Sequence, residues 1–195
     1  MRSSRLILIA ATAMFMMACN PDHAAPASPA QPVSTEGFIA ATTDIQPANL
    51  PALIAAFDGD PVGVADRLER DIGGRSALTR YATAMIQHGQ AESLGRQLAR
   101  IQNQGEPLAQ PQDQDGAVWY PRAEDAGFVT GGIGAVLATH KDALPAFAKG
   151  AGRSPPAADA DLQAWLSEPA TTLPRPARSA FDDAFRAAYR ATRPD

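Results

Sequence analysis

Between Asn49 and Gly105 the apolar residues return at intervals of three and four, and glycine or proline cuts each series short. That spacing lays apolar side chains along one face of a helix turning every ~3.6 residues. Asn49 precedes LPALIAAF, with Pro51 in the first turn, where an N-cap and an early proline belong. Val64, Leu68 and Ile72 stand four apart, and Gly73-Gly74 is expected to end that helix. Ser76 is placed to cap the next, which carries Leu78, Tyr81, Ala82, Met85 and Ile86 and closes at His88-Gly89. Ala91, Leu94, Leu98 and Ile101 form a third stripe, stopped by Gly105 and Pro107. So few residues separate the last two helices that an antiparallel hairpin is expected, with Arg96 and Arg100 on its polar side. The fold class read from this pattern is mostly α: a helical domain with one irregular or short-strand middle segment, after a disordered tether.

The middle segment breaks the pattern. Gln102 to Gly116 is a polar loop rich in Gln and Pro, and AVWYP after it reads as a short strand or extended edge. FVTGGIGAVLATHKDALPAFAKG, Phe128 to Gly150, follows, and Arg153 to Ala157 breaks the chain again. Asp159 is the expected cap of a short helix bearing Leu162, Trp165 and Leu166. A last helix starts near Pro176, with Phe181, Phe185 and Tyr189 four apart as a core-packing stripe.

The N-terminus has a different character. Arg2 and Arg5 precede an apolar run of thirteen residues, Leu6 to Ala18. A bilayer-crossing helix needs about 20 such residues, whereas a secretion signal needs fewer. The run ends Met16-Met17-Ala18-Cys19, with the only cysteine of the chain. This resembles the bacterial lipoprotein signal, in which a small residue precedes a cysteine that becomes acylated and heads the mature chain; Met16 stands where that signal usually has Leu. The resemblance implies a signal peptide over 1–18, lipidation (palmitate) at Cys19, and a lipid-anchored protein on the periplasmic side of a bacterial membrane. Asn20, where Asp would favour inner-membrane retention, leans toward the outer membrane. Two or more acyl chains, at about 0.8 kcal/mol per buried methylene, give stable anchoring. Residues 19–36 form a Pro/Ala/Ser-rich tether without a face to bury, and 37–195 form the helical domain, long enough for one core. Loss of Arg2 and Arg5 with the leader leaves 15 basic against 21 acidic residues, a net of −6. That balance argues against nucleic acid and against adhesion to anionic lipid.

Motifs for chemistry are weak throughout. Thr130 to Gly134, T-G-G-I-G, is similar to a dinucleotide-binding turn, but RAEDAGF before it is no buried strand. Gly132 to Phe147 resembles the opening of melittin, a bent amphipathic membrane peptide, without its basic tail. The structural content of that likeness is a helix from about Ile133 to His140 meeting a second piece around Pro145 as a kinked hydrophobic element. A central core helix with glycines for close packing, a partner-binding groove and an exposed loop are the readings open there. Asp113 to Gly116, D-Q-D-G, has a calcium-loop flavour, yet the twelfth place of an EF-hand register falls on Arg122. His88 and His140, the histidines of the domain, fall at expected helix ends; Asp58 with Asp60 and Glu69 with Asp71 are interspersed with arginines as on solvated faces. No cofactor, metal ligand set or catalytic residue is therefore expected, and the chain is expected not to be an enzyme.

Binding is what remains. The expected function is protein–protein binding by an envelope lipoprotein, in its sharper form an immunity protein or inhibitor of an envelope-directed toxin or hydrolase. Alternatives are an accessory lipoprotein of a secretion or envelope-assembly system and a hydrolase acting on peptidoglycan or lipid. Trp119, Tyr120 and Arg122 are the candidate partner-binding residues, since Trp, Tyr and Arg are enriched at hot spots, although Trp119 suits a core equally well.

Overall fold

The computed structural model describes residues 32–103, 110–111, 118–119, 121–157 and 160–192, with the side chains at 110–111, 118–119 and 121 excepted. Cys19 and the Asp113 to Gly116 motif lie outside them. The described chain is mostly helical. In order come α1 (Phe38–Ala41), α2 (Leu50–Gly59), α3 (Pro61–Arg70), α4 (Gly74–Gln87) and α5 (Ala91–Gln102). A two-residue antiparallel ladder follows, β1 (Gln110–Pro111) with β2 (Val118–Trp119), in the register Gln110 to Trp119. Then come α6 (Pro121–Thr139), a 3-10 turn (Lys141–Ala143), α7 (Leu144–Gly150), α8 (Leu162–Ser167), a second 3-10 turn (Glu168–Thr172) and α9 (Arg175–Thr192).

The apolar stripes pack as their spacing predicts. Val64 and Leu68 of α3, Leu78, Tyr81 and Met85 of α4, and Leu94, Leu98 and Ile101 of α5 are buried. α4 and α5 form the expected hairpin: Gly89, at φ 70°, turns the chain, and the Tyr81 hydroxyl donates to Gln97 Oε1 at 3.0 Å. Tyr81 and Gln97 stand eight residues either side of Gly89, which is antiparallel register. Tyr81 also meets Phe38 and Phe57 at ring distances of 5.2 and 5.4 Å, so one aromatic cluster ties α1 and α2 to the hairpin. Packing against the core starts at Val33, before the expected domain edge at Gly37.

Several local expectations are corrected. α3 stops at Arg70, so Ile72 falls off its stripe and points into solvent, fully exposed. Gly74 opens α4 rather than closing α3; Ser76 lies inside α4 and is exposed, and Gly73 takes the N-cap position. The reason is steric: Gly74 packs so tightly on the Leu68 carbonyl that a methyl there would lie 1.7 Å from it. Asp159 lies outside the described residues, and Asp161 caps α8, its Oδ1 accepting from Gln163 N at 2.8 Å. The kinked element breaks at His140, where φ and ψ leave the helical region, and Pro145 sits in the first turn of α7, where its missing N–H costs nothing.

The largest departure concerns α6. It begins at Pro121, ahead of the expected start at Phe128 or Ile133, and is buried almost all round from Asp125 to Leu137. It is the central core helix. α9 makes the most extensive helix–helix contact with it. Gly127 and Gly131, one turn apart, face the carbonyls of Phe181 and Phe185, and a methyl at either would lie 2.3 Å from the oxygen it faces. The T-G-G-I-G glycines serve this packing: Gly132 admits Leu78, and Gly134 admits Leu166 and Tyr189. Among the described residues, no helix is long and apolar enough to cross a membrane.

Candidate functional site

Of the sequence-derived candidates, the Trp119 backbone and Arg122 lie at the entry to α6. Trp119 joins the ladder through its backbone and leads directly into α6, while its side chain and all of Tyr120 lie outside the described residues. Arg122, in the first turn of α6, is half-buried and engaged with a neighbour. The same turn carries Glu124 and Asp125 toward α3, which presents Asp66, Glu69 and Arg70. Four carboxylates thus crowd the α3–α6 junction.

Asp125 is the unusual member. It is 5 % exposed, and its carboxylate makes no hydrogen bond among the described residues. Burial pushes its pKa up to about 7, the charges of Asp66, Glu69 and Glu124 push the same way, and Arg70 opposes them. Glu69 is likewise raised, first by burial and then by Glu124, with Arg70 again opposing. Arg70 is held at 2.7 Å by Asp66, in a largely exposed pair one helical turn apart, so it offsets only part of this charge. Perturbed, crowded carboxylates concentrate at functional sites, although ion networks that serve only structure also produce them.

Beside the junction opens a cleft of about 350 Å³, lined by Glu69, Arg70, Ile72, Arg75 and Phe128. Ile72 rises from the α3–α4 loop as the one large apolar side chain fully exposed among the described residues. An apolar knob beside two arginines and clustered carboxylates combines an anchor with a charged rim.

The remaining candidates have structural duties. Asp60 caps α3, its Oδ1 accepting from Gly63 N at 2.9 Å. Asp58 accepts from Gln97 Nε2 at 3.1 Å and pairs with Arg100 at 3.3 Å, while Asp71 pairs with Arg67 at 2.6 Å. Arg96 pairs with Glu92 at 2.9 Å. His88 is exposed at the end of α4, and His140 Nδ1, just past the end of α6, lies 3.0 Å from the Val136 carbonyl of that helix. Among the described residues no three of His, Cys, Asp and Glu are grouped to hold a metal.

Sequence reasoning missed Asp125 and Ile72. The signal for Asp125 was its spacing: it stands four and eight residues before Val129 and Ile133, on a face that is fully buried there. Set against protein-family models, curated proteins and solved structures, the chain matches none.

Proposed function

We propose that this chain is an envelope lipoprotein, held by acyl groups on Cys19 at the periplasmic side of a bacterial membrane, outer membrane favoured, and that its helical domain acts by binding another protein. The observation that carries the reading is Met16-Met17-Ala18-Cys19 at the close of a thirteen-residue apolar run, followed by a Pro/Ala/Ser-rich stretch of tether composition. The binding role is supported by the α3–α6 junction. There the exposed Ile72 and the clustered Asp66, Glu69 and Glu124 offer an acidic surface with an apolar anchor, with Asp125 buried beneath it. A partner with a basic, partly apolar site fits it, and an envelope-directed toxin or hydrolase blocked by this domain is the favoured case.

Two measurements test the reading. Mass spectrometry of the native protein should find Cys19 as an acylated N-terminal residue, and Cys19→Ser should leave the chain unprocessed and without acyl chains. A photo-crosslinking residue at position 72 or 119, in intact cells, should capture one discrete envelope protein, and the paired change Glu69→Gln with Glu124→Gln should abolish the adduct. An unmodified thiol removes the anchoring half of the proposal. No specific adduct from either position removes the binding half. A partner belonging to an assembly machine would replace inhibition with an accessory role.

A further inference from the structure

α9 carries four arginines against two aspartates in an acidic protein. Of the 15 basic residues that remain beyond the leader, five lie between Arg175 and Asp195. Arg178, Arg186 and Arg190 of α9 line one cleft of about 500 Å³ against α8, a volume within the range of small-molecule sites. α8 contributes Gln163 and Ser167, and α9 adds Phe185 and Tyr189.

The charges in this cleft are poorly matched. Arg178 Nε and Arg186 Nη2 stand 3.8 and 3.9 Å from the same oxygen, Asp182 Oδ2. Arg186 also reaches Asp183 at 3.5 Å, at the outer limit of a hydrogen bond. Arg190 has no ion pair or hydrogen bond among the described residues. Asp161, the other carboxylate at the cleft, is occupied as the cap of α8. A second observation is independent of charge. Tyr189 is 7 % exposed and lines the cleft, and its hydroxyl has no hydrogen-bond partner among the described residues. Thr192 Oγ1 is the one fully buried side-chain atom without a partner among the described residues, so the Tyr189 hydroxyl reaches solvent and is open to a ligand in the cleft.

We propose that the α8–α9 cleft binds a small organic molecule through an oxyanion, a carboxylate or a phosphate ester, gripped by Arg186 and Arg190 with Arg178 behind them and the Tyr189 hydroxyl donating. A guanidinium presents a planar fork that matches the two oxygens of such a group. The site is independent of the α3–α6 junction and stands whether or not that junction binds a partner.

The test is a titration of the lipid-free chain with inorganic phosphate and, separately, with N-acetylalanine as the carboxylate probe, followed by NMR and calorimetry. Saturable shifts are expected at Tyr189 and at the three arginines. The double variant Arg186→Gln with Arg190→Gln should weaken binding at least about tenfold, and Tyr189→Phe about fivefold. Circular dichroism confirms that each variant is folded; should the double variant unfold, Arg190→Gln alone, at an exposed position, serves in its place. The tighter probe identifies whether the ligand is a phosphate ester or a carboxylate. Binding of both probes weaker than about 10 mM, or saturable binding that survives the arginine change in a folded protein, overturns the proposal.

Discussion

Replacing Gly127 or Gly131 by alanine sets two opposing effects against each other. Inside a helix, Gly→Ala gains about 0.5–1 kcal/mol from reduced unfolded-state entropy. Against this, the new methyl would sit 2.3 Å from the carbonyl oxygen of Phe181 or Phe185. Restoring ordinary contact requires α9 to retreat by about 1 Å. The obstacle is backbone, so no side-chain rotation relieves it. The retreat also loosens the seats of Phe181, Phe185, Ala188 and Tyr189, all buried. Overpacking of this kind costs about 1–3 kcal/mol, and more where the backbone is rigid. The clash therefore wins, and each variant should lose about 1–2 kcal/mol net, a fall in Tm of roughly 2–8 °C for a domain this size. Because one retreat of α9 accommodates both methyls, the double variant should cost less than the two singles together. Gly59 is the control: it also lies in a helix, but nothing stands within 4 Å of a methyl there, so Gly59→Ala should be neutral or stabilising. Urea denaturation of the lipid-free chain measures all four. If Gly127→Ala and Gly131→Ala prove as stable as Gly59→Ala, the close approach of α6 and α9 is wrong.

Asp125→Asn should change the pH dependence of folding. The folded-state pKa is raised from 3.8 to about 7, so across that interval the folded chain keeps a proton that the unfolded chain releases, and stability falls as pH rises. At pH 8 the asparagine variant should be more stable by roughly 2–4 kcal/mol, with the gain vanishing near pH 4; equal denaturation midpoints at pH 8 would refute it. Tyr81→Phe strands Gln97 Oε1, which accepts from Tyr81 at 3.0 Å inside the core, and should cost about 1–2 kcal/mol by urea denaturation with the fold retained. Asp60→Ala removes the side-chain cap of α3 and should cost about 1 kcal/mol, whereas Asp60→Asn should keep most of it.

The helical class, the α4–α5 hairpin and the α9 core stripe were legible because each rests on periodicity within one segment. Burial follows from repeating apolar spacing, and Gly89 announces its own turn. Even so, the stripe of Val64 and Leu68 misplaced Ile72, since periodicity alone does not say where a helix stops. The acidic junction was hardly visible. Asp66 and Asp125 are far apart in sequence, and only the packing of α3 on α6 brings their charges together.

By itself the chain order determined local conformation and the character of its N-terminus: which stretches coil into helices, which residues turn, and the thirteen apolar residues that close on Cys19. Tertiary structure alone decided which glycines meet a backbone, which carboxylate is buried and which arginines share a cleft. The physical reason is range. Helix propensity and capping act over about four residues, whereas desolvation and charge crowding depend on what distant segments pack alongside.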